Sequence, residues 1–209
     1  MRIGIIGSGM IGGTAARLLV RAGHEVAISN SRGPESLREL VAELGPRARA
    51  ATVEAAAEFG DVVLLAVPWR KPEALPSPTL VAGKTVIDAM NPYSESGGIQ
   101  DLGDSTSSEE TAKRLPGARL VKAFNTIYFK HLATQGNTTL PVAERRAIFV
   151  AGDDSEAKQV VSRLIEELGF APVDTGSLRE GGRRQQPGTP IYNRVITGRE
   201  ATEVVAGGE

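Results

Sequence analysis

The chain has 209 residues, with 24 Lys and Arg balanced by 25 Asp and Glu, and it has no cysteine. A net charge of -1 without a long basic block argues against nucleic acid as a partner. The lack of cysteine excludes disulfides, thiolate metal sites and thiol catalysis, and His24 and His131 stand too far apart to suggest a metal cluster.

Residues 1–6 read as a short apolar strand, followed at once by Gly7, Ser8, Gly9, Met10, Ile11 and Gly12 and then by a helical stretch over 14–22. A G-x-G-x-x-G turn between a strand and a helix is a dinucleotide-binding fingerprint. Gly7 permits the tight turn, Gly9 lets the backbone approach a diphosphate, and Gly12 lets the helix pack close to the strand. The diphosphate then rests on the free N–H groups and positive end of the helix. Residues 24–29 form the second strand. Roughly 20 residues beyond the glycines, an NAD site carries a carboxylate for the ribose. Here the chain continues Asn30, Ser31, Arg32, with no acid at the strand end. Ser31 and Arg32 can donate to a 2′-phosphate, and the planar fork of arginine suits phosphate oxygens, so NADP(H) is expected over NAD(H). Ser31 also reads as the N-cap of the next helix, and the two roles are compatible.

Apolar runs and helical patterns then alternate with the beat of a parallel sheet. The pattern predicts a helix over 35–44, a short strand over 48–52, a helix over 53–59, a buried strand over 61–67 ended by Pro68, and a strand over 84–88. Residues 93–108 are polar and rich in Gly and Ser, a surface loop of the kind that often covers a site. A helix over 109–115, a strand over 119–124, a helical stretch over 127–133 and a strand over 145–150 follow. Val160, Val161, Leu164, Ile165 and Leu168 make the apolar stripe of an amphipathic helix over 155–168, before a last strand over 172–174. Lys122 and Lys130 read as solvated lysines near strand ends. Beyond Gly176 the pattern dissolves, and residues 190–196 form an apolar, strand-like run. The expected architecture is α/β, a Rossmann-type doubly wound, mostly parallel sheet with a C-terminal αβ extension. Residues 1–175 are the expected NADP-binding domain, and 176–209 a tail that covers the active site or makes a dimer contact. An exposed edge of the latter kind favours a homodimer. No apolar run approaches the ~18 residues of a membrane span, and glycines stand where a signal peptide has its apolar core. A soluble, cytoplasmic protein with no membrane partner is expected.

In such sheets ligands sit outside the carboxyl ends of the strands. Four segments should meet there: the glycine loop; Ala66, Val67, Pro68 and Trp69; Met90, Asn91 and Pro92; and Phe124, Asn125, Thr126 and Ile127. Trp69 either covers the sheet or touches cofactor or substrate. Asn125, through its amide, and Thr126, through its hydroxyl, can bond a ring carbonyl; the alternative is a strand-end turn that satisfies its own backbone.

Taken together, the segments GSGMIG, SNSRGPES, AVPW and KAFNTI resemble the F420-dependent NADP reductase family, over residues 1 to about 174. The resemblance implies hydride exchange between NADPH and a deazaflavin, coenzyme F420, with the two rings stacked. It places Ser31 and Arg32 on the 2′-phosphate, and Asn125, Thr126 and Ile127 beside the rings. Two departures stand out. Archaeal members carry histidine where Asn125 stands, and the KAFNT form is also similar to the cytosolic domains of membrane metalloreductases, which pass electrons from NADPH to a flavin (FMN or FAD). The tail carries Arg179, Arg183 and Arg184 where the family has apolar closing helices; they either receive the anionic tail of F420 or belong to a disordered or partner-bound segment. Hydride transfer between two bound rings needs face-to-face placement more than an acid or base. Two other functions fit the fingerprint: an NADPH-dependent reductase of a small organic substrate, and a non-catalytic NADP(H)-sensing module. Against the first, little chain remains after Asp174 to build a helical substrate domain.

Overall fold

The apolar runs pair into one eight-stranded sheet in a computed structural model that describes residues 1–207. Strands β1 (Arg2–Ile6), β2 (Glu25–Ser29), β3 (Ala48–Ala50), β4 (Val62–Leu65), β5 (Thr85–Asp88), β6 (Arg119–Ala123), β7 (Ala147–Gly152) and β8 (Ala171–Gly176) lie in the order β3-β2-β1-β4-β5-β6-β7-β8. The first six are parallel, β7 runs antiparallel to β6, and β8 runs parallel to β7. The chain steps outward from β1 to β3, then returns to place β4 on the other side of β1. That reversal opens a crevice above the carboxyl ends of β1 and β4.

Between the strands run α1 (Met10–Arg21), α2 (Arg38–Leu44), α3 (Val53–Phe59), α4 (Pro78–Val81), α5 (Ser107–Arg114), α6 (Phe129–Thr134), α7 (Ser155–Glu167), α8 (Glu180–Arg184) and α9 (Gly198–Ala206). Side chains alternate across a strand, so each strand feeds both layers. Ile3 and Ile5 of β1, Val62 and Leu64 of β4, and Ile148 and Val150 of β7 join one core, under Leu19 of α1, Leu132 of α6 and Val161 and Leu164 of α7. Ile6, Val63 and Leu65 join the opposite core with Ala56 and Ala57 of α3 and Val81 of α4. None of the described helices is long and apolar enough to cross a membrane.

Three expectations need correction. The segment after Gly176 does not dissolve: it folds into α8 and α9, which pack on β7 and β8. Their glycines hide them from a propensity reading, yet close packing requires those glycines. A Cβ on Gly181 would lie 2.8 Å from Ala151 Cβ, and one on Gly198 would lie 2.6 Å from Ala171 Cβ. Residues 190–196 are not a strand: Asn193 takes a left-handed φ of 57°, and Ile191 is buried with Phe149 and Val173. Lys122 is not solvated; it is 1% exposed.

Candidate functional site

The cleft begins where β1 turns into α1. Gly7 has φ 108°, and a Cβ there would lie 2.4 Å from the Ala66 carbonyl oxygen. A Cβ on Gly12 would lie 1.9 Å from the Gly7 carbonyl oxygen. The protein itself therefore demands both glycines. Gly9 is different. Its φ is -71°, and a Cβ added there meets nothing within 4 Å. Only a ligand close to the backbone would make that side chain unwelcome. Helix α1 also starts without a side-chain cap or an acid in its first turn, so its N–H groups remain free for an anion. Gly9→Ala is thus expected to keep wild-type thermal stability while weakening NADPH binding about tenfold or more, ~1.4 kcal/mol. Parallel melting and fluorescence titrations check this; a melting temperature that falls along with affinity would mean the residue serves the fold.

The second wall is set by Asn30. Its Nδ2 donates to Ser8 Oγ at 3.3 Å and to Ser36 Oγ at 2.9 Å, while its Oδ1 accepts from the Arg32 amide at 2.9 Å. This Asx turn ties the glycine loop to the loop after β2 and fixes the backbone of Ser31 and Arg32. Both side chains are exposed and line a cleft of about 580 Å³ with Gly7, Ser8, Gly9, Ala66, Val67 and Pro68. Lys71 and Glu73 come into the same cleft from the turn after β4. With Arg32 and Lys71 against one acid, the cleft carries a positive excess.

Next to β4 in the sheet, the ends of β5 and β6 form a second cluster. Asn91 and Asn125 bond reciprocally. Asn125 Nδ2 donates to Asn91 Oδ1 at 3.1 Å, and Asn91 Nδ2 donates to the Asn125 carbonyl at 2.9 Å. Phe124, just before, holds φ 63°, a strained conformation for a bulky residue that costs about 1–3 kcal/mol. The C-terminal segment closes over this cluster. Asn125 Nδ2 also donates to the Gln185 carbonyl at 2.8 Å, and Tyr192 Oη accepts from Asn91 Nδ2 at 3.2 Å and lies 2.9 Å from Tyr93 Oη. Burial, then the Tyr93 hydrogen bond, raises the Tyr192 hydroxyl pKa above its ordinary value, so it stays protonated. The expected donation from the Asn125 amide to a ring carbonyl does not fit this arrangement: both amide protons are committed, and it is Oδ1 that is left buried without a donor.

Beneath the cluster, Lys122 Nζ donates to Asp88 Oδ2 at 3.2 Å, to the Met90 carbonyl and to Ser107 Oγ. Trp69 settles between its two expected roles. Its Nε1 donates to the Ser107 carbonyl and to Thr111 Oγ1, it is 5% exposed, and Arg114 stacks 4.5 Å over its ring. It covers the sheet.

The expected residues thus fall into two groups. The glycine loop, Asn30 to Arg32 and Ala66 to Pro68 gather around the open cleft, with Met10 exposed and Ile11 half-buried on the first turn of α1. Met90, Asn91, Asn125 and Thr126 gather under the C-terminal segment, and Ile127 packs in the core with Phe124 and Leu132. Sequence reasoning missed Lys71, Tyr93, Gln185 and Tyr192. Lys71 left a signal, as a basic residue directly after the strand that flanks the switch point.

A doubly wound sheet with a glycine loop, an uncapped helix and a cationic second loop defines a Rossmann-type dinucleotide-binding protein. The family described as NADP oxidoreductase, coenzyme F420-dependent, matches residues 2–92 of the chain, the segment that holds the glycine loop, the loop after β2 and the end of β4. The chain is similar to the solved structure of SMa0349 from Sinorhizobium meliloti, 34% identical with a TM-score of 0.82, covering 94% of this chain and 95% of that one. A protein from Arthrobacter sp. FB24 assigned as an F420-dependent NADP reductase is 26% identical with a TM-score of 0.73, covering 85% and 86%. Metalloreductase STEAP3 of Rattus norvegicus is 33% identical over 178 residues, 85% of this chain and 34% of that protein. The chain therefore spans about a third of the metalloreductase's length.

Proposed function

We propose that this protein is an NADP-dependent oxidoreductase that exchanges a hydride between NADP(H) and a ring acceptor, a deazaflavin of the F420 kind or a flavin, at the carboxyl ends of β5 and β6. The observation that carries the reading is the uncharged cluster of Asn91, Asn125, Tyr93 and Tyr192 at the carboxyl ends of β5 and β6, beside the phosphate cleft. The chain's groups fit the dinucleotide. Gly9 leaves its face open, α1 offers free N–H groups, Arg32 and Lys71 suit a 2′-phosphate, and Asn125 Oδ1 can accept an N–H from the nicotinamide carboxamide. When bound, NADPH supplies the hydride. Transfer between rings depends on placement, and the reciprocal Asn91–Asn125 pair is a rigid, neutral means of orienting an amide. Tyr192, kept protonated, gives its O–H to Tyr93, which leaves the Tyr93 hydroxyl as the donor for an acceptor carbonyl, and the segment that carries Tyr192 excludes water from the ring side.

The likeness to the Arthrobacter protein supports F420 as acceptor, and the KAFNT form over residues 122–126, through its resemblance to membrane metalloreductases, supports a flavin. Anaerobic NADPH oxidation by the purified protein, offered F420 and then FMN, separates them by the absorbance of each acceptor. Bleaching of F420 alone makes this a deazaflavin reductase, and bleaching of FMN alone makes it a flavin reductase. NADPH binding without reduction of either ring overturns the proposal and returns the small-substrate and sensing functions.

A further inference from the structure

Arg146 stands immediately before β7 and is 7% exposed, yet its Nε and Nη1 have no hydrogen-bond partner among the described residues. Holding a cation in that state is unfavourable, and a fold that keeps one there is incomplete without a partner for it. Burial pulls the guanidinium pKa below its ordinary value.

The side chain lines a cleft of about 440 Å³. One wall is apolar: Leu140, 40% exposed, Val195, 60% exposed, and Ile196. Gln135 lines the same cleft and also leaves a polar atom, Oε1, buried without a partner. Two acids reach the cleft, and both are engaged elsewhere. Glu144 pairs with Arg199, and Glu200 closes the capping box of α9 by accepting from the Thr197 amide at 2.8 Å. The uncommitted charge in the cleft is therefore that of Arg146.

Its position matters as well. Because β7 runs antiparallel to β6, its first residue lies at the edge where the parallel strands end. One segment joins the two places: the Asn193 amide donates to the Thr126 carbonyl at 3.0 Å, and the Ala147 amide donates to the Ile196 carbonyl at 3.0 Å. The cleft is continuous in the chain with the covered cluster of Asn91 and Asn125.

We propose that this cleft binds an oxyanion group, carboxylate or phosphate, borne on a small apolar body, with Arg146 as its anchor. The planar guanidinium offers two parallel donors to two oxygens of such a group, and the Leu140–Val195 wall takes the apolar part. The anion either belongs to the hydride acceptor or is a free ligand. Binding itself does not depend on the hydride-transfer reading; only the choice between these sources does.

The test is titration of the ¹⁵N-labelled protein, without NADPH, with hexanoate, its neutral isostere hexanamide, and inorganic phosphate, read at the Gly136 and Asn137 amides. Hexanoate or phosphate should shift both amides, hexanamide should not, and Arg146→Met should weaken anion binding roughly tenfold or more. Arg146→Met should also melt at or above the wild-type temperature, because it removes a buried unpaired charge. No anion-dependent shift in the wild type, or equal shifts with hexanamide, overturns the proposal even where the variant fails to fold. Turnover with FMN and with lumiflavin, which lacks the phosphate, then assigns the source. A loss of kcat/KM in Arg146→Met confined to FMN places the anion on the acceptor, whereas a variant that loses anion binding yet turns over FMN and lumiflavin with wild-type kcat/KM makes it a free ligand.

Discussion

Arg32→Ala should bind NADPH roughly tenfold to a hundredfold more weakly than wild type, with NADH affinity held within about twofold. The two nucleotides differ only by the 2′-phosphate, so the contrast isolates the contact at issue. Arg32 has no hydrogen-bond partner for its guanidinium among the described residues, and its backbone is fixed by the Asn30 side chain, so the fork is free and its base is held in place. The loss should shrink as salt rises, because Arg32 is exposed and its charge is screened. Lys71→Ala should weaken NADPH binding by less, since an ammonium is a hydrated point charge without the bidentate geometry of arginine. Fluorescence titration with both nucleotides checks each variant. Equal losses for NADPH and NADH would sink the assignment of Arg32 to the phosphate and leave it as a general electrostatic contributor to the cleft.

The strands were legible because parallel strands buried on both faces must be written in apolar runs, as Val62 to Leu65 are. The glycine loop was legible for a related reason: backbone closeness at Gly7 and Gly12 admits no side chain. What sequence reading missed depends on distant pairing. Tyr192 lies 101 residues from Asn91 and Gln185 lies 60 from Asn125, and nothing local to any of them announces the contact. The same holds for Trp69, whose burial rests on partners 38 and 42 residues on. Residue type misled most at Lys122. Lysine is almost never fully buried unless paired, and its pair, Asp88, becomes visible only once the β5–β6 register sets the two side by side.

That pair carries the largest expected effect on stability. Lys122→Met should lower the unfolding free energy by about 3–5 kcal/mol, because it strands the fully buried Asp88 carboxylate. All three Nζ protons have acceptors in the wild type, and Asp88 in turn accepts from the Met90 amide at 2.9 Å and from Ser108 Oγ at 3.0 Å. The ion pair thus holds Met90 by both its N–H and its carbonyl, one residue before Asn91. Adding Asp88→Asn to Lys122→Met removes the stranded charge and should recover more than half of the lost stability, as denaturant unfolding will show. It cannot restore the donor to the Met90 carbonyl, so turnover should stay low while NADPH affinity, set across the sheet at Gly9 and Arg32, stays near wild type. A double variant that regained turnover along with stability would reduce the pair to a structural device. The pH dependence gives an independent sign. Burial lowers the Lys122 pKa from 10.5 more than Asp88 raises it, so the folded chain loses this proton at lower pH than the unfolded chain. Between the two values the unfolded state binds the extra proton, and wild-type stability rises with pH relative to Lys122→Met. Below the folded-state value both states are protonated and the group contributes no slope. An alkaline rise in wild-type stability relative to Lys122→Met, ending as pH passes 10.5, therefore marks Lys122 as the group responsible.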